Sequence, residues 1–180
     1  DFRSLCGNLT SGVGAFAIWE NMVRPIAPIT AVRIWNTNLS SMLYCEVPVE
    51  ENRPLEQGDY TIPGVPGTGA KIQVDFAETA GKGAGALLPT DNSMDTLEIA
   101  GFGTIDASLI DIGNPHVFIR AKDVGLKGTE TAEEIDSDRN LLELLEAIRS
   151  HAAYRMGMIS ALDQGKQESP AAPLIGMISP

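Results

Sequence analysis

The chain has few of the features that nucleic-acid, secreted or membrane proteins need. Its 180 residues contain 13 lysines and arginines against 24 aspartates and glutamates, a net charge of −11. Nucleic acid requires clustered cations, so this balance argues against nucleic acid as a partner. An acidic surface does not attract anions either, so a site for an anionic substrate must be built locally.

Cysteine and histidine are scarce, with two of each. Two cysteines in a chain of this length form no disulfide framework, which favours a reducing compartment, and we expect the cytoplasm. The two histidines, His116 and His151, lie far apart in the sequence, and neither cysteine has a ligand partner at a useful spacing. We therefore expect no metal site.

Two glycine-rich segments, residues 64–71 and 81–85, lack the GxxxxGK[ST] pattern of a phosphate loop. The GxSxG motif of serine hydrolases is missing as well. We expect no cofactor. No apolar run approaches the roughly 20 residues of a membrane span, and the chain does not start with a secretory signal, so we expect no membrane partner.

The hydrophobic pattern predicts an α+β fold. Residues 12–23 are small or apolar on almost every side and predict a helix buried on most faces, capped by Thr10 or Ser11 and stopped by Pro25. Strands are predicted at residues 31–37, 42–47, 71–76, 97–99, 104–112 and 116–121, the first two forming a hairpin. Short strands around one enclosed helix predict a barrel-like curled sheet wrapped around that central buried helix.

The C-terminal third predicts further helices. Thr131 and Glu134 fit a capping box ahead of a short helix. Residues 138–158 carry an apolar stripe at helical spacing, with Glu146 and Arg149 on the face assigned to water.

The chain lacks an initiator Met and ends in a strand-like run at Pro180, so we expect a fragment of a longer polypeptide. The predicted domains are residues 1–162, a first-domain core without its opening strands, residues 163–173, a linker, and residues 174–180, the start of a truncated second domain.

Cys6, Gly7 and Asn8 come just ahead of the long apolar stretch that predicts the first helix. A cysteine at a helix start lies among unpaired N–H groups and at the positive end of the helix dipole, and both favour the thiolate. The same N–H groups can bind a substrate carboxylate. A cysteine of unknown role is more often a small buried hydrophobic residue, so the tripeptide alone leaves both interpretations open.

A second candidate cluster is Gly113, Asn114, Pro115 and His116. The proline holds Asn114 in an extended or turn conformation, and its amide offers donors and an acceptor that suit a carboxylate. His116 is a candidate general acid or base. The alternative is an ordinary turn between strands with His116 hydrogen-bonded inside the fold. Cys45 falls in the middle of a predicted strand and is expected to be structural.

Taken in order, five segments carry a family resemblance that covers nearly the whole chain. They are residues 6–14, 32–38, 64–70, 87–90 and 111–117. The chain resembles the diaminopimelate-epimerase-like superfamily, and within it the family of 2-methylaconitate cis–trans isomerase and 4-oxalomesaconate tautomerase.

The resemblance implies two domains, each a barrel-like sheet around a central helix, with the active site between them. It implies cofactor-independent proton transfer next to a carboxylate, with Cys6 as catalytic acid or base. By the same resemblance, the backbone of Gly7 and Asn8 binds a substrate carboxylate, and Asn114 and His116 contact the substrate. The family's catalytic lysine precedes the cysteine motif and therefore lies outside this chain.

We therefore expect an isomerase that shifts one allylic proton in a small unsaturated di- or tricarboxylate such as 2-methylaconitate. The chain alone is expected to be inactive without the missing second domain or a complementary chain. One alternative is an amino-acid epimerase or racemase of the same fold, although Leu9, Thr10 and Ser11 fit the isomerases better, since epimerases tend to continue with another glycine. Another is a non-catalytic carboxylate-binding domain.

Overall fold

The computed structural model describes residues 4–180, which form an α+β fold. The helices are α1 (Gly7–Trp19), α2 (Ala132–Ser137), α3 (Arg139–Arg155) and α4 (Gly165–Glu168). The strands are β1 (Ile29–Asn36), β2 (Ser41–Glu50), β3 (Arg53–Pro54), β4 (Gln73–Asp75), β5 (Asp95–Ile99), β6 (Gly103–Asp111), β7 (Pro115–Arg120) and β8 (Leu174–Ile178). The fold divides into two compact units, here called the first unit (Leu5–Thr79) and the second unit (Ala80–Pro180).

The first unit is built on an antiparallel sheet centred on β2. All of β1 pairs with this strand, from Ile29 opposite Pro48 to Asn36 opposite Ser41. Strands β3 and β4 also pair with β2. The predicted hairpin is therefore confirmed. Alternate residues of β2 are buried and form the core of the unit, as period-two alternation requires. The core residues of this unit are Ile18, Val32, Cys45, Val47 and Val49.

Helix α1 begins at Gly7, five residues earlier than predicted, and Cys6 is its N-cap residue. The prediction of Thr10 or Ser11 as the cap is wrong, because both hydroxyls lie inside the helix. The Thr10 hydroxyl donates to the carbonyl oxygen of Cys6 at 2.8 Å, and the Ser11 hydroxyl donates to that of Asn8 at 2.7 Å. This back-bonding is the usual alternative to capping for short hydroxyl side chains.

The helix is buried along one stripe rather than on most faces. Thr10, Gly14 and Ile18 are buried at the spacing of four residues that defines one side of a helix. On the other sides, Leu9 is 75% exposed and Phe16 is 61% exposed. Both sheets of the described chain are open and form no closed barrel. The prediction of a helix enclosed on most faces is therefore corrected for residues 4–180.

Gly14 sets how closely α1 approaches the sheet. A Cβ atom at this position would lie 2.8 Å from Sγ of Cys45 and 2.9 Å from Cγ2 of Val47, so only glycine fits. Cys45 is fully buried in this contact, and its burial raises the pKa of the thiol. Cys45 therefore lies in a strand, as predicted, and is part of the core of the unit.

The second unit contains a four-stranded sheet in the order β5-β6-β7-β8. The first three strands are antiparallel, whereas β8 runs parallel to β7, from His116 opposite Leu174 to Arg120 opposite Ile178. A parallel partner needs a crossover connection, which here contains α2, α3 and α4. Helix α3 contributes Ile148, Ala152 and Ala153 to the core of this unit.

The predicted domain boundaries differ from these units. Residues 174–178 were predicted to open a further domain, but they form β8, the fourth strand of the second sheet. Residues 163–173, predicted as a linker, include α4 and belong to the crossover. The predicted first-domain core, residues 1–162, spans parts of both units, whose boundary lies between Thr79 and Ala80.

Arg149 fixes the end of the crossover and corrects its assignment to the wet face of α3. It is only 8% exposed and forms a bidentate ion pair with Glu146, with both nitrogen–oxygen distances 2.8 Å. Its Nη1 also donates to the carbonyl oxygens of Ser169, at 2.6 Å, and Ala172, at 2.9 Å. A buried guanidinium is tolerated when its donors are satisfied in this way. The segment leading into β8 is thereby fastened to α3.

Asp95 is a second buried charge that holds a loop. Its carboxylate accepts hydrogen bonds from the side chains of Thr90, Asn92 and Arg155. Burial raises the pKa of Asp95, but these three hydrogen bonds outweigh burial and leave that pKa below its ordinary value. The hydrogen bonds from Arg149 likewise lower the pKa of Glu146.

We predict opposite effects on stability for two glycine substitutions in α1. Gly14→Ala should lower the free energy of unfolding by about 1–3 kcal/mol, because the new methyl group overlaps Cys45 and Val47. Gly12→Ala is the matched control, since no atom lies within 4 Å of a Cβ there. It should raise the free energy of unfolding by up to about 1 kcal/mol through helix propensity. Urea denaturation of both variants measures the difference, and equal effects would contradict the close contact.

We also predict a loss of stability in acid. The pKa values of Asp95 and Glu146 are lower in the folded than in the unfolded protein, so their contribution is complete above the range where unfolded carboxyls titrate, about pH 4. It is lost as the pH falls through that range towards the folded pKa values. Asp95→Asn should reduce the dependence of the unfolding free energy on pH between about pH 5 and pH 2. Asp163→Asn, which removes an exposed carboxylate, is the control for the lost charge, and a reduction of the same size in that variant would contradict the role of Asp95.

Candidate active site

Cys6 lies on the surface at the point where extended backbone turns into α1. Its φ and ψ angles are −101° and 105°, and its side chain makes no capping hydrogen bond. Its carbonyl oxygen accepts hydrogen bonds from the Thr10 amide, at 3.0 Å, and from the Thr10 hydroxyl. The backbone of Cys6 is thus fixed by the first turn of the helix, while its thiol is exposed.

The N-terminus of α1 offers the surroundings that an anion needs. The first N–H groups of a helix, here those of Gly7, Asn8 and Leu9, have no acceptor within the helix, and the helix dipole is positive at this end. The first turn contains no acidic side chain. A Cβ on Gly7 would lie 3.9 Å from Cζ of Phe76, an ordinary contact. A carboxylate bound to these amides would lie next to the Cys6 thiol.

Asn114 lies in the turn between β6 and β7. Gly113 has a φ of 83°, in the left-handed region that favours glycine, and Pro115 begins β7. Nδ1 of His116 is 2.7 Å from the carbonyl oxygen of Asn114. A carbonyl only accepts, so Nδ1 carries a hydrogen in this contact, and Nε2 is the ring nitrogen left for another partner. The ring of His116 also stacks on that of Phe118, with centroids 5.4 Å apart.

The predicted site residues fall into two sets. Cys6, Gly7 and Asn8 lie together in the first unit, and Asn114 and His116 lie together in the second. The alternative interpretation of His116 holds in part, because one ring nitrogen is hydrogen-bonded to the turn itself. The ring is nevertheless half-buried rather than enclosed.

Two N–H groups of the glycine-rich loop at residues 81–85 are already occupied. Those of Gly83 and Ala84 donate to Oδ2 of Asp111, at 2.6 and 2.7 Å. An internal carboxylate therefore takes the place that a phosphate would need. Asp111 was not among the predicted site residues. The signal was present, because Asp111 follows Ile105, Ala107 and Leu109 on the buried face of β6.

Within residues 4–180, no three His, Cys, Asp or Glu side chains are grouped so that they could hold a metal ion. Among the helices of the same residues, none combines the length and the apolar composition of a membrane span.

Comparison with known proteins identifies the family of the chain. The model of a family described as PrpF protein matches residues 1–180, so the chain belongs to the PrpF protein family. The predicted family is thereby confirmed.

Two curated relatives and one solved structure are similar to the chain. It is 42% identical to 3-methylitaconate isomerase of Eubacterium barkeri over 99% of this chain and 47% of the relative. It is 37% identical to 2-methyl-aconitate isomerase of Shewanella oneidensis over 100% of this chain and 47% of the relative. The crystal structure of methylitaconate-delta-isomerase superimposes with a TM-score of 0.83 at 44% identity, covering 95% of this chain and 44% of that one. The α+β fold class is confirmed, and the chain spans about half the length of the curated relatives it matches.

We predict that the two cysteines differ sharply in reactivity. Cys6 is exposed at the helix start, whereas Cys45 is fully buried and its burial raises the pKa of its thiol. A thiol reagent such as DTNB should modify one cysteine per native chain quickly and the second only on unfolding. Cys6→Ser should remove the fast phase, and Cys45→Ala, as control, should keep it. Two fast thiols in the native protein would contradict the burial of Cys45.

Proposed function

We propose that the protein containing this chain is a cofactor-independent isomerase of a small unsaturated di- or tricarboxylate such as 2-methylaconitate. The observation that carries the proposal is the exposed thiol of Cys6 at the N-terminus of α1, in a chain of the PrpF protein family. The names of the curated relatives, which are methylitaconate and methylaconitate isomerases, support this substrate class.

In the proposed reaction, Cys6 takes a proton from the carbon next to a substrate carboxylate. The electron pair of that C–H bond forms a new double bond, the original double bond opens, and the far carbon of the original double bond accepts a proton that is in exchange with solvent. Charge develops on the carboxylate-stabilised intermediate, and the N–H groups of Gly7 and Asn8 would stabilise it because they are already oriented. Neither an oxidant nor a reductant is consumed.

Asn114 and His116 are proposed as further substrate contacts. The amide of Asn114 can fix a second carboxylate without adding charge. Nε2 of His116 is the ring nitrogen left for substrate, because Nδ1 is engaged by the carbonyl of Asn114. The half-buried, stacked ring of His116 would present that nitrogen in one orientation.

The activity is proposed for the full-length protein rather than for this chain by itself. The curated relatives are about twice as long as the segment they share with it. A second domain or a complementary chain would supply the other wall of the site, and the isolated chain is expected to be inactive. Both cysteines are free thiols, which is compatible with a reducing compartment. The cytoplasmic location stays a prediction.

We predict that the full-length protein catalyses deuterium exchange that depends on Cys6. Incubated in D₂O with 2-methylaconitate, the wild type should incorporate deuterium at the allylic carbon, as followed by proton NMR. Cys6→Ser should slow the exchange by about 10²–10⁴-fold, since it replaces the acid or base. Cys45→Ala is the matched control and should retain activity once folding has been verified by circular dichroism.

Two further measurements on the full-length protein test the alternatives. Loss of optical rotation from a pure amino acid, without exchange into 2-methylaconitate, would indicate an epimerase. Binding of the tricarboxylate without any exchange beyond that of Cys6→Ser would indicate a carboxylate-binding domain, and either result would refute the isomerase proposal.

A further inference from the structure

Asp111 is a buried charge for which the proposed reaction has no direct use. The residue is fully buried at the end of β6, two positions before Gly113. One carboxylate oxygen, Oδ2, accepts hydrogen bonds from the N–H groups of Gly83 and Ala84. The other, Oδ1, is buried and has no hydrogen-bond partner within the described chain. Keeping such a carboxylate in the interior is costly, so a compensating role is expected.

The backbone of Asp111 binds the same loop. Its carbonyl oxygen accepts from the Gly81 amide at 2.9 Å, and its own amide donates to the carbonyl oxygen of Leu87 at 2.9 Å. Ala80 and Ile112 form an antiparallel bridge beside these contacts. Residues 81–87 are therefore joined to one residue by two backbone and two carboxylate hydrogen bonds.

The loop is itself folded tightly, so it acts as a rigid support. Gly81 has a φ of 73°, and a Cβ there would lie 2.8 Å from the backbone of Ala86. Binding to Asp111 fixes the backbone on the β6 side of the turn, and the hydrogen bond from His116 to the Asn114 carbonyl fixes its β7 side. The position of Asn114 is thus determined from both ends of the turn.

We propose that Asp111 is a positioning residue, which clamps residues 81–87 beside the β6–β7 turn and so holds Asn114 where the substrate needs it. The proposal rests on the proposed function, because Asn114 is a substrate contact only in that scheme. Asp111 itself touches no substrate. Its effect should appear in substrate binding more than in the chemical step.

The test uses the full-length protein with three variants. Asp111→Ala removes the acceptor of the two loop amides, and Asp111→Asn keeps an oxygen that can accept them. Asp95→Ala is the matched control, since Asp95 also holds a loop with a buried carboxylate in the same unit. It pairs with Ala107, four residues away from Asp111 along β6.

The first measurement is limited trypsin digestion, which does not depend on any activity. Lys82 is exposed inside the clamped loop, and Lys127, also exposed, is an internal reference for cleavage. Asp111→Ala should raise cleavage after Lys82, relative to Lys127, by about tenfold or more, because two charged hydrogen bonds are lost. Asp111→Asn should restore most of the protection, and Asp95→Ala should leave the ratio unchanged.

The second measurement separates KM from kcat. Asp111→Ala should raise KM for 2-methylaconitate about tenfold with kcat within about threefold of wild type, and Asp111→Asn should recover most of the loss. Asp95→Ala, verified as folded, should change neither value. Unchanged cleavage at Lys82 in Asp111→Ala would overturn the clamp, and an unchanged KM in an active enzyme would overturn its role in positioning.

An inactive wild type would instead refute the proposed function, and with it the role of Asp111 towards substrate. The digestion would still decide whether Asp111 holds the loop.

Discussion

The contact between Gly14 and Cys45 is the constraint on which the first unit depends. A helix approaches a strand this closely only when a residue without a side chain faces the sheet, and here even one methyl group would overlap sulfur. The contact sets the distance between α1 and β2. Thr10 and Ile18 complete the buried stripe, which fixes the orientation of the helix about its own axis. The exposed helix start at Cys6 is therefore placed by packing two turns away. The geometry of an exposed candidate site residue thus depends on a buried contact.

The sequence predicted those elements that are determined locally. The hairpin of β1 and β2 follows from alternation and a short polar turn, and the capping box at Thr131 forms as its spacing indicates, with Glu134 bonded back to the Thr131 amide. The environment of Arg149 could not be read in the same way. Its helical position suggests a solvent-exposed face, but Ser169 and Ala172, from farther along the chain, accept hydrogen bonds from it through their carbonyl oxygens. The same long-range return made β8 look like the beginning of another domain.

In the candidate site, too, local features could be predicted from the sequence and long-range contacts could not. Cys6, Gly7 and Asn8 were predicted at a helix start, and the structure places them there, although the helix begins earlier than its apolar run suggests. Their roles towards a substrate stay predictions. Asp111 was missed because its partners, Gly83 and Ala84, lie 28 and 27 residues earlier in the chain. The glycines of that loop lack the phosphate-loop pattern and do not by themselves indicate an internal carboxylate ligand. Alternation along β6 places this carboxylate among apolar side chains, which is a local signal of a non-local contact.

The parallel pairing of β7 with β8 has a consequence for how the chain reaches its fold. Residues 121–173 lie between the two strands in the sequence, so they must be synthesised before β8 can complete the second sheet. Closing so long a connection is slow compared with forming the hairpins that precede it. During this interval the edge of β7 is unpaired, and unpaired strand edges are where nascent chains associate wrongly. Demand for chaperones during synthesis should therefore peak after β7 has emerged and before β8 has docked.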